Sequence, residues 1–277
     1  VAEVGPDVRN VKVGDLVMVS SVAGCGHCAG CATRDPVTCV SGPQIFGAGI
    51  LGGAQSDLLA VPAADFQLLP IPDGIDTEEA LLLTDNLATG WAGAQRADVP
   101  PGGTVVVYGL GAVGLCALRS AIVQGAGQIF AVDPVEGRRD RAALWGATPL
   151  APPALGAVLE ATGGRGAASV IDAVASDATL TEALTVVRPG GTVSVIGVHD
   201  LNPFPFPATM SLVRSVSMRL TTAPVQRTWP QLIPLIQSGR LDTSGIFTDS
   251  MPLADAPAAY AKVASRSADC VKIALQV

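Results

Sequence analysis

Charge is scarce in this chain. Lys, Arg, Asp and Glu make up 15% of its 277 residues, and acids outnumber bases to leave a net charge of −7. No run of lysines or arginines occurs. Proteins that grip nucleic acid carry basic patches that neutralise phosphates, so nucleic acid is excluded as a partner, and with it a small zinc module of the nucleic-acid-binding kind. Long apolar runs are missing as well. The uncharged stretches around residues 142–159 are broken by Gly146, Pro149, Pro152 and Pro153, so no membrane-spanning helix is expected and no membrane partner. A secretory leader pattern is absent too, which makes the cytoplasm the expected location, although the chain starts at Val1 and not at a methionine. Histidine is limited to His27 and His199. There is no internal repeat or low-complexity tract.

What the chain does have is apolar mass. Hydrophobic residues account for 49% of it, and 31 glycines and 21 prolines are spread along its length. This composition belongs to a well-buried α/β protein with real cores, not to a disordered chain. Three regions are expected. Residues 1–78 hold short β-type runs and turns, with strand candidates at 11–20 and 57–61. Residues 79–222 alternate apolar strands (104–108, 129–133, 169–174, 192–198) with helices (112–124, 136–145, 177–187), the pattern of a doubly wound parallel sheet. Ser176 or Asp177 can cap the last of these helices, and Pro189-Gly190-Gly191 should end it. Residues 223–277 add a helix around Trp229 that Pro234 should kink, a short helix capped by Asp255, and a closing strand at 271–277.

Four of the six cysteines fall within fifteen residues: Cys25, Cys28, Cys31 and Cys39, spaced C-x2-C-x2-C-x7-C. Four thiolates in so short a loop can close a tetrahedron around Zn²⁺, leaving no open position, so the ion would be structural. Iron–sulfur runs of the bacterial type have a shorter last gap followed by proline. Disulfides need an oxidising compartment. Free thiols are the plain alternative. His27 lies inside this loop and reads as a solvated residue. Cys116 and Cys270 read as buried apolar side chains.

The segment Gly109-Leu110-Gly111-Ala112-Val113-Gly114 has the pattern G-x-G-x-x-G, directly after a strand candidate and at the start of a helix. There the glycines permit a tight turn, close approach to a pyrophosphate and tight helix–strand packing, while the helix N-terminus offers free N–H groups. Asp133, at the end of the next strand, can accept hydrogen bonds from ribose hydroxyls and would repel a 2′-phosphate. This favours NAD over NADP, although Arg138 and Arg139 follow closely. An ordinary strand-end aspartate beside a structural turn is the alternative.

The order of these motifs resembles the zinc-dependent medium-chain dehydrogenase/reductase family, the alcohol dehydrogenases. A four-cysteine loop is followed by Asp85-Asn86-Leu87-Ala88-Thr89-Gly90, then GLGAVG, then Asp133, and the opening VAEVGPDVRNVKVGDLVMV and closing CVKIALQV fit as well. The resemblance spans essentially the whole chain. It implies a Rossmann domain at 79–222 joined to a partial GroES-like β-barrel catalytic domain at 1–78, to which 223–277 returns. It implies a structural zinc on Cys25, Cys28, Cys31 and Cys39, and Asp85 as one ligand of a second, catalytic zinc, though an aspartate there could simply cap a helix. Thr89 would lie near the nicotinamide, Val198 would approach it through backbone atoms, and Arg138 and Lys272 would contact the cofactor. Trp91 could shape a substrate pocket or belong to the core. The implied activity is reversible oxidation of an alcohol to an aldehyde or ketone with NAD, in a homo-oligomer paired through an edge strand at 215–222. The family's remaining catalytic-zinc ligands, a cysteine and a Gly-His-Glu motif, precede the equivalent of Val1, so the 277 residues by themselves are expected to be inactive. A non-catalytic nucleotide-binding or sensing protein on the same fold is the competing expectation.

Overall fold

A computed structural model describes every residue, Val1–Val277. The first region is a lobe of short pieces: β1 (Val17–Val19), β2 (Val22–Ala23), α1 (Ala29–Ala32), β3 (Gln44–Ile45), α2 (Ala64–Gln67) and β4 (Leu68–Pro70). Strand β1 pairs antiparallel with β4, and β2 with β3. The strand expected at 57–61 is instead irregular, with Leu58 77% exposed; a short apolar run makes no strand where no neighbour completes the ladder. This lobe leaves an apolar groove of about 1060 Å³ open, lined by Val1, Val4, Val8, Val17, Val19 and Phe66 among others.

Helices α3 (Thr77–Leu83) and α4 (Asn86–Arg96) lead into the alternating region. A capping box starts α3, with Asp76 accepting from Glu79 N–H and the Glu79 carboxylate accepting from Asp76 N–H. The series continues β5 (Thr104–Tyr108), α5 (Ala112–Val123), β6 (Gln128–Val132), α6 (Glu136–Leu144), β7 (Thr148–Leu150), α7 (Leu155–Ala161), β8 (Ala167–Asp172), α8 (Asp177–Val186), β9 (Val187–Val195), α9 (Ala208–Val213) and β10 (Ser217–Leu220). All six strands are parallel, in the order β10-β9-β8-β5-β6-β7. This is a Rossmann-type doubly wound sheet. Its strand order reverses between β5 and β8, which opens a crevice beyond their C-terminal ends. Separate apolar clusters cover its two faces, one around Val105, Val107, Leu115 and Leu118, the other around Val106, Tyr108, Leu180 and Val193.

Helix α8 ends at Val186, where Val187 turns to extended backbone, just ahead of Pro189-Gly190-Gly191 as expected; the Pro-Gly-Gly segment itself lies inside β9. The strand tolerates the proline because its pairing with β8 is irregular at this end, where the register shifts between Ala167 and Ser169. In the last region, α10 (Val225–Gln237) runs unbroken past Pro230 and Pro234. Its apolar face holds it: Trp229 and Leu232 are fully buried against α3 and α4. The strands β11 (Asp249–Pro252) and β12 (Ile273–Gln276) pair in parallel around α11 (Ala256–Ala264). Asp255 precedes α11 as expected, but its side chain makes no capping bond.

Trp229 joins the last region to the rest. It is 2% exposed, and its indole N–H donates to the Leu83 carbonyl at 2.9 Å. Trp229→Ala should lower stability by about 3–5 kcal/mol, and Trp229→Phe by about 1–2 kcal/mol through the orphaned carbonyl. Urea denaturation of the two variants would measure this order; equal losses would separate the hydrogen bond from the effect.

Candidate functional site

The crevice beyond β5 is built on glycine. Gly109 leaves β5 at φ +81°, a conformation that disfavours side chains. Gly111 stands at the N-cap of α5, where an added β-carbon would meet nothing within 4 Å. Gly114 is the opposite case: a β-carbon there would lie 1.6 Å from the Gly109 carbonyl oxygen. The turn and helix therefore press together at Gly114, while the backbone at Gly111 faces open space. No side chain caps the first turn of α5, so its N–H groups and positive dipole end face the crevice.

Asp133 sits beside this turn, 4% exposed. One carboxylate oxygen accepts from Leu110 N–H at 2.7 Å and the other from Val135 N–H at 2.8 Å, so the acid clamps the glycine turn onto the end of β6. Each oxygen keeps a lone pair for a further donor. Arg138 lies 4.0 Å from the same carboxylate, and its Nε is buried without a partner. Arg139 is occupied differently, donating to the carbonyls of Asp133 and Pro134. Gly109, Gly111, Ala112, Val113, Gly114, Asp133 and Arg138 all line one cavity of about 640 Å³, a size suited to a small-molecule cofactor. Tyr108, Pro152, Val174, Thr179, Glu182 and Arg266 line it too. None of these was legible beforehand, because they come from β5, α8 and three separate loops and carry no local motif.

Val198 and Lys272 lie outside that cavity. Val198 follows β9 and is 92% exposed. Lys272 is mostly buried, its ammonium 5.5 Å from the Phe247 ring centroid; burial lowers its pKa, while the nearby Asp85 acts to raise it. Asp85 occupies the N-cap position of α4, yet its side chain makes no capping bond. Its carboxylate instead accepts from the Thr89 hydroxyl at 3.4 Å. The helix-cap explanation for this aspartate therefore fails, and the group stays available. Cys116 is fully buried close by, its thiol pushed up to about 12 by burial, which suits an apolar filler and not a ligand. Trp91 is 7% exposed and its indole donates to Gln231, placing it in the core contact between α4 and α10.

The four clustered cysteines form a separate site. Their sulfurs all lie within 4.8 Å of one another, with Cys25–Cys31 and Cys28–Cys39 both at 3.9 Å. A tetrahedral ion with metal–sulfur bonds of about 2.3 Å requires sulfur spacings of roughly 3.8 Å, so the four thiols fit zinc. Backbone donors favour thiolates: N–H groups of Cys31 and Val40 bring Cys28 down to about 6, and those of Cys25 and Ser41 lower Cys39. Burial pushes Cys31 up to about 12. The loop has no spare room, since a β-carbon on Gly24 would lie 2.6 Å from the Cys31 sulfur and one on Gly30 would lie 2.2 Å from the Thr38 carbonyl. Arg227 of α10 docks the lobe, with its guanidinium 3.1 Å from Asp35 and donating to the Thr33 carbonyl and hydroxyl. His27 bonds only the Cys25 carbonyl, at 2.9 Å, among the contacts made by its ring.

A parallel sheet with a glycine-built crevice, joined to a small β lobe with four convergent thiols, has the parts of a two-lobed dehydrogenase. Comparison with known proteins makes this specific. Residues 1–73 match the alcohol dehydrogenase GroES-like domain, and residues 112–238 match the zinc-binding dehydrogenase domain. A protein of Mycobacterium tuberculosis, described as a probable zinc-binding alcohol dehydrogenase, is 66% identical over 276 residues, which cover 100% of this chain and 72% of the relative. Among solved structures, the alcohol dehydrogenase TADH from Thermus sp. ATN1 superposes with a TM-score of 0.90 at 32% identity, covering 99% of this chain and 81% of that one. Zinc-dependent alcohol dehydrogenase 2 from Streptococcus pneumonia, in its apo form, gives a TM-score of 0.89 at 28% identity, covering 100% of this chain and 80% of that one. The chain belongs to the zinc-dependent medium-chain dehydrogenase/reductase family, the alcohol dehydrogenases.

The two glycines of the crevice should respond differently to the same change. Gly114→Ala should cost about 1–3 kcal/mol or more, because the turn must move to admit the methyl group. Gly111→Ala, with φ −71° and open space ahead of it, should leave stability nearly unchanged. Thermal unfolding of the pair checks this, and a marginal effect at Gly114 would contradict the packing described.

Proposed function

We propose that this protein is an NAD-dependent alcohol dehydrogenase that oxidises an alcohol reversibly to an aldehyde or ketone. The observation that carries the reading is the cavity in which the Gly109–Gly114 turn, Asp133 and Arg138 converge. Its family relatives, named for alcohol dehydrogenase chemistry, support the reaction class. When bound, the nicotinamide supplies the hydride acceptor and a catalytic zinc a Lewis acid for the alcohol oxygen.

The chain's own residues divide the work. The N–H groups at Gly111, Ala112, Val113 and Gly114 receive a pyrophosphate at the helix N-terminus. Asp133 accepts from ribose hydroxyls with its remaining lone pairs, and its negative charge disfavours a 2′-phosphate. Arg138 turns its unpartnered Nε towards the cofactor, and Lys272 supplies a second cation. Thr89 and the backbone at Val198 orient the nicotinamide end. Cys25, Cys28, Cys31 and Cys39 hold a zinc that keeps the small lobe folded and docked on α10.

The second zinc does not fit within these 277 residues. Three protein ligands are needed, and Asp85 contributes one, while the four-cysteine group is already closed. We therefore read the chain alone as inactive, with the remaining ligands supplied outside it and the open apolar groove of the small lobe covered in the active protein. Residues 1–78, 79–222 and 223–277 serve as the partial catalytic domain, the NAD domain and the return to the catalytic domain. The edge strand β10, with Leu220 74% exposed, suits a homo-oligomer formed in the cytoplasm.

Zinc per chain, measured on the 277-residue protein and on the complete gene product alongside NAD-dependent oxidation of an alcohol panel, tests this. One zinc and no turnover in the former, with two zincs and turnover in the latter, is the expected result. One zinc in both, without turnover, would remove Asp85 from catalysis and favour a non-catalytic nucleotide sensor. Gly111→Ala should weaken NAD binding by about tenfold or more by filling the approach to the pyrophosphate; unchanged affinity, measured by calorimetry, would move the dinucleotide elsewhere.

A further inference from the structure

The segment that leaves β9 at Gly197 runs without regular structure until α9, and it begins against the dinucleotide crevice. A β-carbon on Gly197 would lie 2.5 Å from the Val174 backbone, and Val174 lines the cavity. The N–H groups of Ile196 and Gly197 both donate to the Asp172 carbonyl, at 2.9 and 3.0 Å. Beyond that point the segment is held by His199. Its Nε2 lies 2.8 Å from Asp177 Oδ1, and its Nδ1 lies 2.9 Å from the Asp200 carbonyl and 3.3 Å from Asp200 Oδ1. The Phe204 ring meets the imidazole edge-on at 6.3 Å. Asp177 opens α8, and its neighbours Ser176, Ala178 and Thr179 line the cavity.

The hydrogen-bond inventory of this contact is one-sided. Both ring nitrogens face oxygens that only accept, yet a neutral imidazole carries a single N–H. Only the imidazolium satisfies both partners. We propose that His199 is a positioning residue: as imidazolium it ties the Val198 segment to the N-terminus of α8, whose first residues line the cofactor crevice, and so holds that segment beside the crevice at the spacing that the nicotinamide end requires. The proposal rests on the dinucleotide reading above. It adds a residue with no counterpart among the motifs, one whose charge is needed at a distance from the reacting atoms.

The ionisable groups facing His199 are Asp177 from α8 and Asp200 from its own segment, and both favour the cation. Its pKa is raised above the ordinary imidazole value, chiefly by the hydrogen bond to Asp177 and next by the Asp200 carbonyl. The sign follows directly. The tie is complete below the ordinary histidine range, persists up to the raised value, and is lost as pH climbs through it.

The test combines NAD titration with histidine NMR on the 277-residue protein. With only His27 and His199 in the chain, His199→Gln identifies the signal of each. Wild type should bind NAD with constant affinity up to the raised pKa of His199 and then weaken by about threefold to tenfold, the scale of a partly exposed charge-assisted contact. His199→Gln, which keeps one donor, should start weaker and show no such transition, and Asp177→Asn should bring the His199 titration back towards the ordinary range. An ordinary titration of His199 in wild type, or an unchanged pH profile of NAD affinity in His199→Gln, would overturn the proposal. If NAD fails to bind at any pH while His199 still titrates high, the dinucleotide reading is what falls, and the positioning role falls with it.

Discussion

The arrangement depends on two places where backbones approach so closely that no side chain fits between them. At Gly114, α5 is pressed against the turn that leaves β5, and a β-carbon would collide with the Gly109 carbonyl oxygen at 1.6 Å. At Gly90, α4 meets α5, where a β-carbon would lie 2.5 Å from the Ala117 nitrogen. Helix α5 is thus a common reference. One contact sets the dinucleotide crevice against it, and the other sets α4, which carries Asp85 and Thr89. The separation of the glycine-turn crevice from Asp85 and Thr89 is fixed by steric exclusion and does not rely on a flexible side chain. Close packing of this kind transmits displacement, so a methyl group at either glycine is felt at both sites.

Polar groups refine what packing sets. Asp133 illustrates the economy of the crevice: its two oxygens hold the glycine turn and the start of the β6–α6 loop before any ligand arrives. A carboxylate that is already positioned pays little ordering cost on binding, which is the physical content of preorganisation. The small lobe follows a different rule. It has no sizeable apolar core of its own, and its cysteine loop is held by glycine-tight turns, sulfur-directed N–H groups and the Arg227 contacts to α10. For such a segment, four thiolates around one ion would replace the core that short strands cannot build.

Much of this was legible in order along the chain. The β5, β6, β8 and β9 runs, helices α5, α6 and α8, the Ser176 cap and the C-x2-C-x2-C-x7-C loop each carry their signal within a few residues, as burial on both strand faces, helical period, capping chemistry or ligand spacing. Local signals told less where packing decided the outcome. Pro189-Gly190-Gly191 follows the end of α8 but also lies inside β9, at the end of that strand where its register with β8 is irregular. Pro234 does not end α10, whose buried face of Trp229, Leu232 and Ile236 packs on both sides of it. The short apolar run at 57–61 has no strand beside it to pair with.

What the sequence determined by itself was therefore chemistry that is local: four thiols close enough to share an ion, a glycine turn between strand and helix, and an acid at the end of the following strand. Only the tertiary structure decided which distant groups join them. Glu182, Tyr108 and Arg266 reach the cofactor cavity from separate elements, Arg227 reaches the cysteine lobe across 194 positions, and His199 meets Asp177 across 22. It also decided that the Asp85 side chain caps no helix and instead accepts from the Thr89 hydroxyl. The reason is geometric. Spacing along a chain specifies neighbours within a turn or two, whereas contacts between elements depend on how the sheet is wound and which faces are buried, and those are settled only when the whole core closes.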